Sequence, residues 1–191
     1  MTIDEIKQYA LYELGFEDAL DFTSTTGKPV IRINFIYEQI IRQVLSRYLW
    51  GFALVRADLT GKATLTDQRY KYSYDLPDDF VYLRNQYSSV KGFSVISDYE
   101  FMDGLFYTNA ESVFLDYTAR VDEELFPDYF IEYLKYKLAF DLCFNLTGDT
   151  DLLQVLSERE KFEYINATNI DGRQRKVKRL RSSPFIDVRG M

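Results

Sequence analysis

The sequence predicts an α+β protein, mainly α: a bundle of about four helices with an inserted antiparallel β region and an extended C-terminal tail. Apolar residues recur with helical spacing in the first and last thirds of the chain, and with a period of two between about 52 and 120. Beyond residue 170 neither period continues. Because the helical segments lie outside the strands in sequence order, the sheet is expected to separate two helical halves.

Two helices are predicted in the N-terminal part. A short helix is expected over 3–14, because apolar residues recur there at steps of three and four before Gly15. The second helix is expected over 30–48. It follows Pro29, whose missing N–H costs nothing at a helix start, and it carries a wide apolar stripe opposite a polar face. This is the clearest helical pattern in the chain.

The middle of the chain, about 52–120, is predicted to be antiparallel sheet. Apolar and polar residues alternate from Ala53 onward, and Tyr70, Tyr72 and Tyr74 alternate with polar residues further along. Two strands joined by a polar loop fit this pattern. Short strand-like pieces separated by turn signals, such as an Asp-Gly pair, then continue the sheet.

Two more helices are predicted after the sheet, over 127–147 and 150–169. The first opens at Pro127 and stops before Gly148, and its stretch LAFDLCFNL is apolar nearly all round, so it is expected to be the most buried helix. The second follows a capping Asp149 or Thr150, and its outer face, SEREKFE, is expected to be solvated. Its predicted apolar face consists of Leu152, Val155, Leu156, Phe162 and Ile165.

Composition limits the classes of function. A chain of 191 residues with 47% hydrophobic and 28% charged residues is long enough for one folded unit, expected over 1–170. Histidine is absent, which excludes serine-histidine triads and histidine zinc sites, and Cys143 alone cannot form an internal disulfide or a thiolate zinc site. No cofactor is expected. Neither a secretory signal nor a membrane span is visible, and a reducing cytosol is the expected folding compartment.

Carboxylates cluster in SYDLPDDF, where Asp75, Asp78 and Asp79 surround Pro77. Proline favours a turn here, and Asp78 can cap a short following helix, so the cluster is interpreted as a strand-to-helix turn. The other interpretation is a carboxylate enzyme, which would require further ligands from elsewhere in the chain. The acidic run at 122–124 is likewise interpreted as a solvated loop before a helix, with a metal site as the alternative.

The last segment, 171–191, has seven Lys or Arg and two Asp, whereas residues 1–170 have 16 basic and 28 acidic residues. Three interpretations compete: docking to a protein partner, binding of nucleic acid, and an unordered tail. An exposed Phe-Ile pair favours insertion into a partner protein. The candidate docking residues are Arg173, Arg175, Lys176, Lys178, Arg179, Arg181, Pro184, Phe185 and Ile186.

The order of these features resembles the head-to-tail adaptors of short-tailed phages, the family that includes tail tubular protein A. An N-terminal helix precedes PVIRINFIYEQIIRQVLSRYLWGFAL, a long helix running into a Trp-x-Phe step, and YSYDLPDDFVYL follows as a strand entering a turn. Short strands, a helix ELFPDYFIEYLKYKLAFDLCFNLTGD, a charged last helix and an Arg-bearing tail complete the order. The resemblance covers nearly the full length, although the loops at 60–69 and 97–112 match nothing specific.

The resemblance implies a structural virion protein and not an enzyme. Copies would form a ring, dodecameric in the family, under the portal at the head-tail junction, after assembly in the host cytoplasm. The nine candidate residues would form the portal-binding tail. Such a ring helps retain packaged DNA, which passes through its channel without specific binding, and offers the surface on which a tail tube or nozzle protein attaches. No membrane is involved.

A nucleic-acid-binding module is the alternative from another class. It would use the basic tail, with Tyr70, Tyr72 and Tyr74 as a stacking surface for bases. This alternative predicts binding to DNA that weakens steeply as salt is added.

Overall fold

The computed structural model describes residues 1–65, 69–89 and 94–174. Within these ranges two α helices precede and two follow the strands along the chain, and the strands form two antiparallel sheets. This confirms the predicted α+β, mainly α class. The helices are α1 (Ile3–Tyr12), α2 (Lys28–Arg47), α3 (Asp128–Leu146) and α4 (Thr150–Gln174). In the same ranges no helix is long and apolar enough to cross a membrane.

Helix boundaries agree with the predictions to within two residues, except at the end of α4. A capping box begins α1: the Glu5 amide donates to Thr2 Oγ1 over 3.3 Å, and the Thr2 amide donates to Glu5 Oε2 over 2.7 Å. The last helix runs to Gln174, so the extended tail does not begin at residue 171 as predicted. The reason is Asp171, whose side chain is 1% exposed and hydrogen bonded to the body, which holds the last turn in place.

Seven strands form the described β region: β1 (Leu54–Asp58), β2 (Ala63–Thr64), β3 (Tyr72–Asp75), β4 (Phe80–Tyr87), β5 (Tyr99–Met102), β6 (Leu105–Thr108) and β7 (Phe114–Ala119). One sheet has the order β1-β7-β4 and the other β2-β3-β6-β5. The two strands predicted on either side of the polar loop, β1 and β3, lie in different sheets. The predicted Asp-Gly turn is confirmed: Asp103 and Gly104, with φ of 52° and 75°, connect β5 to β6.

The turn after β3 leads into a strand and not into the predicted short helix. The Phe80 amide donates to the carbonyl of Pro77 over 3.0 Å, which closes a tight turn, and β4 begins at Phe80 itself. Residues 80–87, FVYLRNQY, are rich in aromatic and branched side chains, and they pair with β7. The eight-residue β4 was missed in the sequence.

Buried apolar side chains form two clusters. One lies among the helices and includes fully buried Trp50, Phe130 and Leu134, and the other lies in the β region around Phe106 and Leu115. The apolar stripe predicted for α2 is buried as expected, and α3 is buried over most of its circumference. Two interior clusters thus meet where the helices join the sheet.

Candidate docking surfaces

The buried side of α4 is unusually polar. Glu160 and Glu163 are each 8% exposed and Asp171 is 1% exposed. The sequence placed Glu160 and Glu163 on a solvated outer face, and that expectation is wrong for both. Buried carboxylates require partners, which the neighbouring helices supply for Glu160 and Asp171.

Glu160 is held by an ion pair and by a tyrosine. The Arg47 guanidinium donates to Glu160 Oε1 over 2.7 Å and to the Tyr133 hydroxyl over 2.9 Å, and the Tyr133 hydroxyl donates to Glu160 over 3.2 Å. Burial raises the pKa of Tyr133 above its ordinary value. Burial also opposes the charge on Arg47, but the carboxylate of Glu160 and the hydroxyl of Tyr133 together outweigh this and raise the pKa of Arg47. These contacts connect α4 to the end of α2 and to α3.

Asp171 holds the C-terminal end of α4. Its Oδ1 accepts hydrogen bonds from the Gly51 amide, at 2.8 Å, and from the Tyr129 hydroxyl, at 3.0 Å. Nearby, the Tyr48 hydroxyl donates to the carbonyl of Thr168 over 3.3 Å. The last turns of α4 are therefore joined to the corner that follows α2 and to the start of α3.

The opposite side of α4 is apolar and in contact with solvent. Val155 is 55% exposed, Phe162 62% and Ile165 59%. The sequence predicted all three to lie on the apolar face together with Leu152 and Leu156. Leu156 is buried at 2% exposure and Leu152 is half-buried, so the prediction is wrong for the other three. We call Val155, Phe162 and Ile165 the α4 stripe. Exposed apolar side chains gathered on one element mark an interaction surface.

Further exposed aromatic residues lie on α2 and α3. Phe35 is 79% exposed and lies one turn beyond Ile31, which is 50% exposed, while Phe144 in the last turn of α3 is 62% exposed. Helical periodicity places Phe35 on the face of α2 opposite the buried stripe. In α3, which is apolar nearly all round, no such pattern distinguished Phe144 from core residues.

The predicted docking tail enters the described residues only at Arg173. This residue is exposed in the last turn of α4, where a positive charge is favoured by the helix dipole. The remaining candidates lie outside the described residues: Arg175, Lys176, Lys178, Arg179, Arg181, Pro184, Phe185 and Ile186.

The three aspartates of SYDLPDDF take separate roles. Asp79 Oδ1 accepts a hydrogen bond from the Tyr117 hydroxyl at 2.9 Å, and the Asp79 carbonyl accepts one from the Arg120 amide at 2.7 Å. Asp75 packs beside Gly61, where a Cβ atom would lie 1.8 Å from Asp75 Oδ2, and Asp78 is exposed. Across the described ranges, no group of three or more acidic or cysteine side chains is placed to hold a metal ion.

The acidic run at 122–124 is only partly solvated. Glu123 is 7% exposed, and its Oε1 lies 2.5 Å from a guanidinium nitrogen of Arg120, which also contacts Glu38 at 3.1 Å. The expectation of a solvated loop is therefore wrong for Glu123. Asp122 and Glu124 are exposed and line a surface cavity of about 620 Å³ beside the start of α1.

The expected tyrosine stacking surface is not formed. Tyr70 and Tyr74 are 5% and 2% exposed, and the Tyr74 hydroxyl donates to the carbonyl of Ala110 over 2.8 Å. Tyr72 is half-buried, with the Lys62 ammonium 3.8 Å from its ring centroid. Two of the three rings are thus unavailable to nucleic-acid bases, and the nucleic-acid interpretation depends on the basic tail alone.

Comparison with protein-family models and with curated proteins finds no match to this chain.

Proposed function

We propose that this chain is a structural virion protein, a head-to-tail adaptor that forms a ring, dodecameric in its assembled state, under the portal of a short-tailed phage. The observation that carries the proposal is the distribution of side chains on α4, whose buried side carries carboxylates and whose solvent-facing side carries apolar residues. The Arg47–Glu160 ion pair and several hydrogen bonds hold this helix from its buried side, while Val155, Phe162 and Ile165 remain in contact with water. A surface of this kind suits a protein that functions in an assembly.

The order of elements supports the same proposal. A short helix and a long helix precede the sheets, a helix opening after Pro127 follows them, and the last helix leads into the basic tail. This is the order on which the resemblance to head-to-tail adaptors rests. Buried hydrogen bonds at the middle of α4 and near its C-terminal end give that tail a fixed starting point on the body.

In the proposed role, the basic tail docks on the portal and the ring helps retain packaged DNA. The tail tube or nozzle protein then attaches to the ring. Residues 1–170 hold 28 acidic and 16 basic side chains, so the body repels DNA and lets it pass without specific binding. Through its contacts with the portal and with the tail protein, the ring becomes part of the virion at the head-tail junction.

The test is co-sedimentation with the portal ring encoded in the same genome. The full chain should sediment with the portal, and a chain ending at Gln174 should not, because the tail is removed while the contacts of Asp171 are kept. Reversing the charges of Arg179 and Arg181 should also weaken binding, whereas the control change of Ser182 and Ser183 to Ala should not.

Two results would refute the proposal: a full chain that stays in the supernatant, or a shortened chain that sediments equally well. In the first case a salt titration with DNA tests the nucleic-acid alternative. DNA binding that weakens steeply with added salt would then favour the basic tail as a nucleic-acid-binding segment.

A further inference from the structure

We infer that in the free chain Phe185 and Ile186 fold back onto the α4 stripe of the same chain and cover it. The docking role proposed above concerns the tail bound to a partner, whereas this inference concerns the chain before it meets one. It assigns an occupant to the stripe: the chain's own apolar segment 184–186.

The stripe offers a compact apolar surface. Val155 and Phe162 are seven residues apart, which is two helical turns, so their side chains lie on the same side of α4 at a separation of about 10 Å along the axis. Ile165 flanks Phe162 one turn further along. All three are more than half exposed, so no other part of the described chain covers them.

The length of chain after Gln174 is sufficient to reach this surface. Phe162 lies 12 residues before Gln174, or about 18 Å along the helix axis, and Val155 lies about 28 Å away. Phe185 lies eleven residues after Gln174, and this length of chain spans at most about 36–40 Å when extended. The segment can therefore reach both residues with chain to spare for the reversal of direction.

Composition and charge favour this segment as the occupant. Pro184, Phe185 and Ile186 are the longest uninterrupted apolar run after Gln174. Residues 175–191 contain six Lys or Arg and one Asp, whereas residues 1–174 contain 17 basic and 29 acidic residues, so the tail is attracted to the body as a whole. A short covalent connection also gives the segment an effective concentration in the millimolar range.

The fold-back has a consequence that rests on the proposed function. A tail that covers the stripe keeps free copies apart, because the apolar surface that another protein would contact is occupied. Binding of the tail to the portal would then uncover the stripe only at the site of assembly. The order of assembly steps would be set because the α4 stripe and the portal compete for the same apolar segment, 184–186.

The test is a disulfide between cysteines placed at Phe162 and Phe185 in the full chain. The natural Cys143 is fully buried and should not compete. Mild oxidation of dilute protein should link the two positions within one chain, which proteolysis and mass spectrometry would identify. The matched control pairs Phe185→Cys with Phe35→Cys, an even more exposed position on α2, and this pair should remain unlinked.

Three outcomes would overturn the inference: no link, links formed only between two chains, or an equal yield from the control pair. Oxidative labelling of the Phe162 ring provides a second measurement without new cysteines. The double variant Phe185→Ser, Ile186→Ser should label faster at Phe162 than the natural chain, and equal rates would count against the inference. Neither measurement involves the portal, so their failure and the failure of portal binding are distinguishable.

Discussion

Glu160 is the residue through which α4 is most directly held to α2 and α3. Replacing it with Ala removes the partner of Arg47 and of the buried Tyr133 hydroxyl. We expect the free energy of unfolding to fall by about 2–3 kcal/mol, somewhat below the loss typical of a fully buried pair, because the Arg47 side chain is 43% exposed. Urea denaturation followed by circular dichroism measures this loss.

The control for this change is Glu158→Ala on the same helix. Glu158 is exposed and makes no ion pair within the described ranges, so its replacement should alter the free energy of unfolding by no more than about 0.5 kcal/mol. Equal losses for the two variants would contradict the role assigned to Glu160.

Tyr117 should make the fold sensitive to alkali. Burial, reinforced by its hydrogen bond to Asp79, raises the pKa of Tyr117 to about 12 from an ordinary value near 10. Below pH 10 the side chain is protonated in both states. Between pH 10 and 12 the phenol ionises in the unfolded chain but stays largely protonated in the folded chain. The free energy of unfolding should therefore fall as the pH rises, by about 1–2 kcal/mol from this residue.

Denaturant titrations at pH 9, 10, 11 and 12 test this expectation, with Tyr117→Phe as the comparison. The variant is less stable at pH 9, because Asp79 loses its hydroxyl partner, but its stability should decline less between pH 10 and 12. An identical decline in both proteins would assign the effect to Tyr37 and Tyr133, whose pKa values are also raised by burial.

At the scale of elements, the orientation of α4 can be tested by two substitutions on opposite sides of the helix. Leu156→Ala removes a buried side chain and should lower the free energy of unfolding by about 2–4 kcal/mol. In a chain ending at Gln174, where no tail can cover the α4 stripe, Phe162→Ala removes a larger but exposed ring and should change the free energy of unfolding by about 0.5 kcal/mol or less. A large loss at Phe162 in thermal or urea denaturation would show that the sequence-based orientation was correct after all.

The orientation of α4 was wrong in the sequence prediction because apolar residues occur on both sides of that helix. The deciding contact joins Arg47 to Glu160 across 113 residues of sequence, and no local pattern records it. In α2, by contrast, polar and apolar faces are cleanly separated, so periodicity alone predicted the buried side.

The strand β4 was missed for a similar reason. Pro77 and Asp78 signal a chain reversal, but they favour a helix start and a hairpin-like turn equally. The turn, and not a helix start, is selected because the following residues pair with β7, which begins more than 30 residues later, and because Asp79 contacts Tyr117. Of the candidate surfaces, composition alone identified the basic tail, whereas the α4 stripe required knowledge of which helix face is anchored.

At the scale of the whole molecule, the boundary between body and tail is set by Asp171. A chain ending at Gln174 keeps the contacts of Asp171, so it should unfold at a urea concentration close to that of the full chain, lowered only by the loss of the tail from the α4 stripe. A chain ending at Asn169 leaves the amide of Gly51 and the hydroxyl of Tyr129 without this acceptor. Its free energy of unfolding should be lower by about 2 kcal/mol or more, and equal midpoints for the two shortened chains would contradict this boundary.

Trp50 lies where the helices and the sheet meet, and it is the only tryptophan in the sequence. Its ring is fully buried against Tyr48 and Phe130, its indole N–H donates to Val44, and its carbonyl accepts a hydrogen bond from Arg84 of β4. Intrinsic fluorescence excited at the indole band therefore originates from a single known point. Its emission colour reports directly on whether the helical and sheet halves remain joined, without any added label.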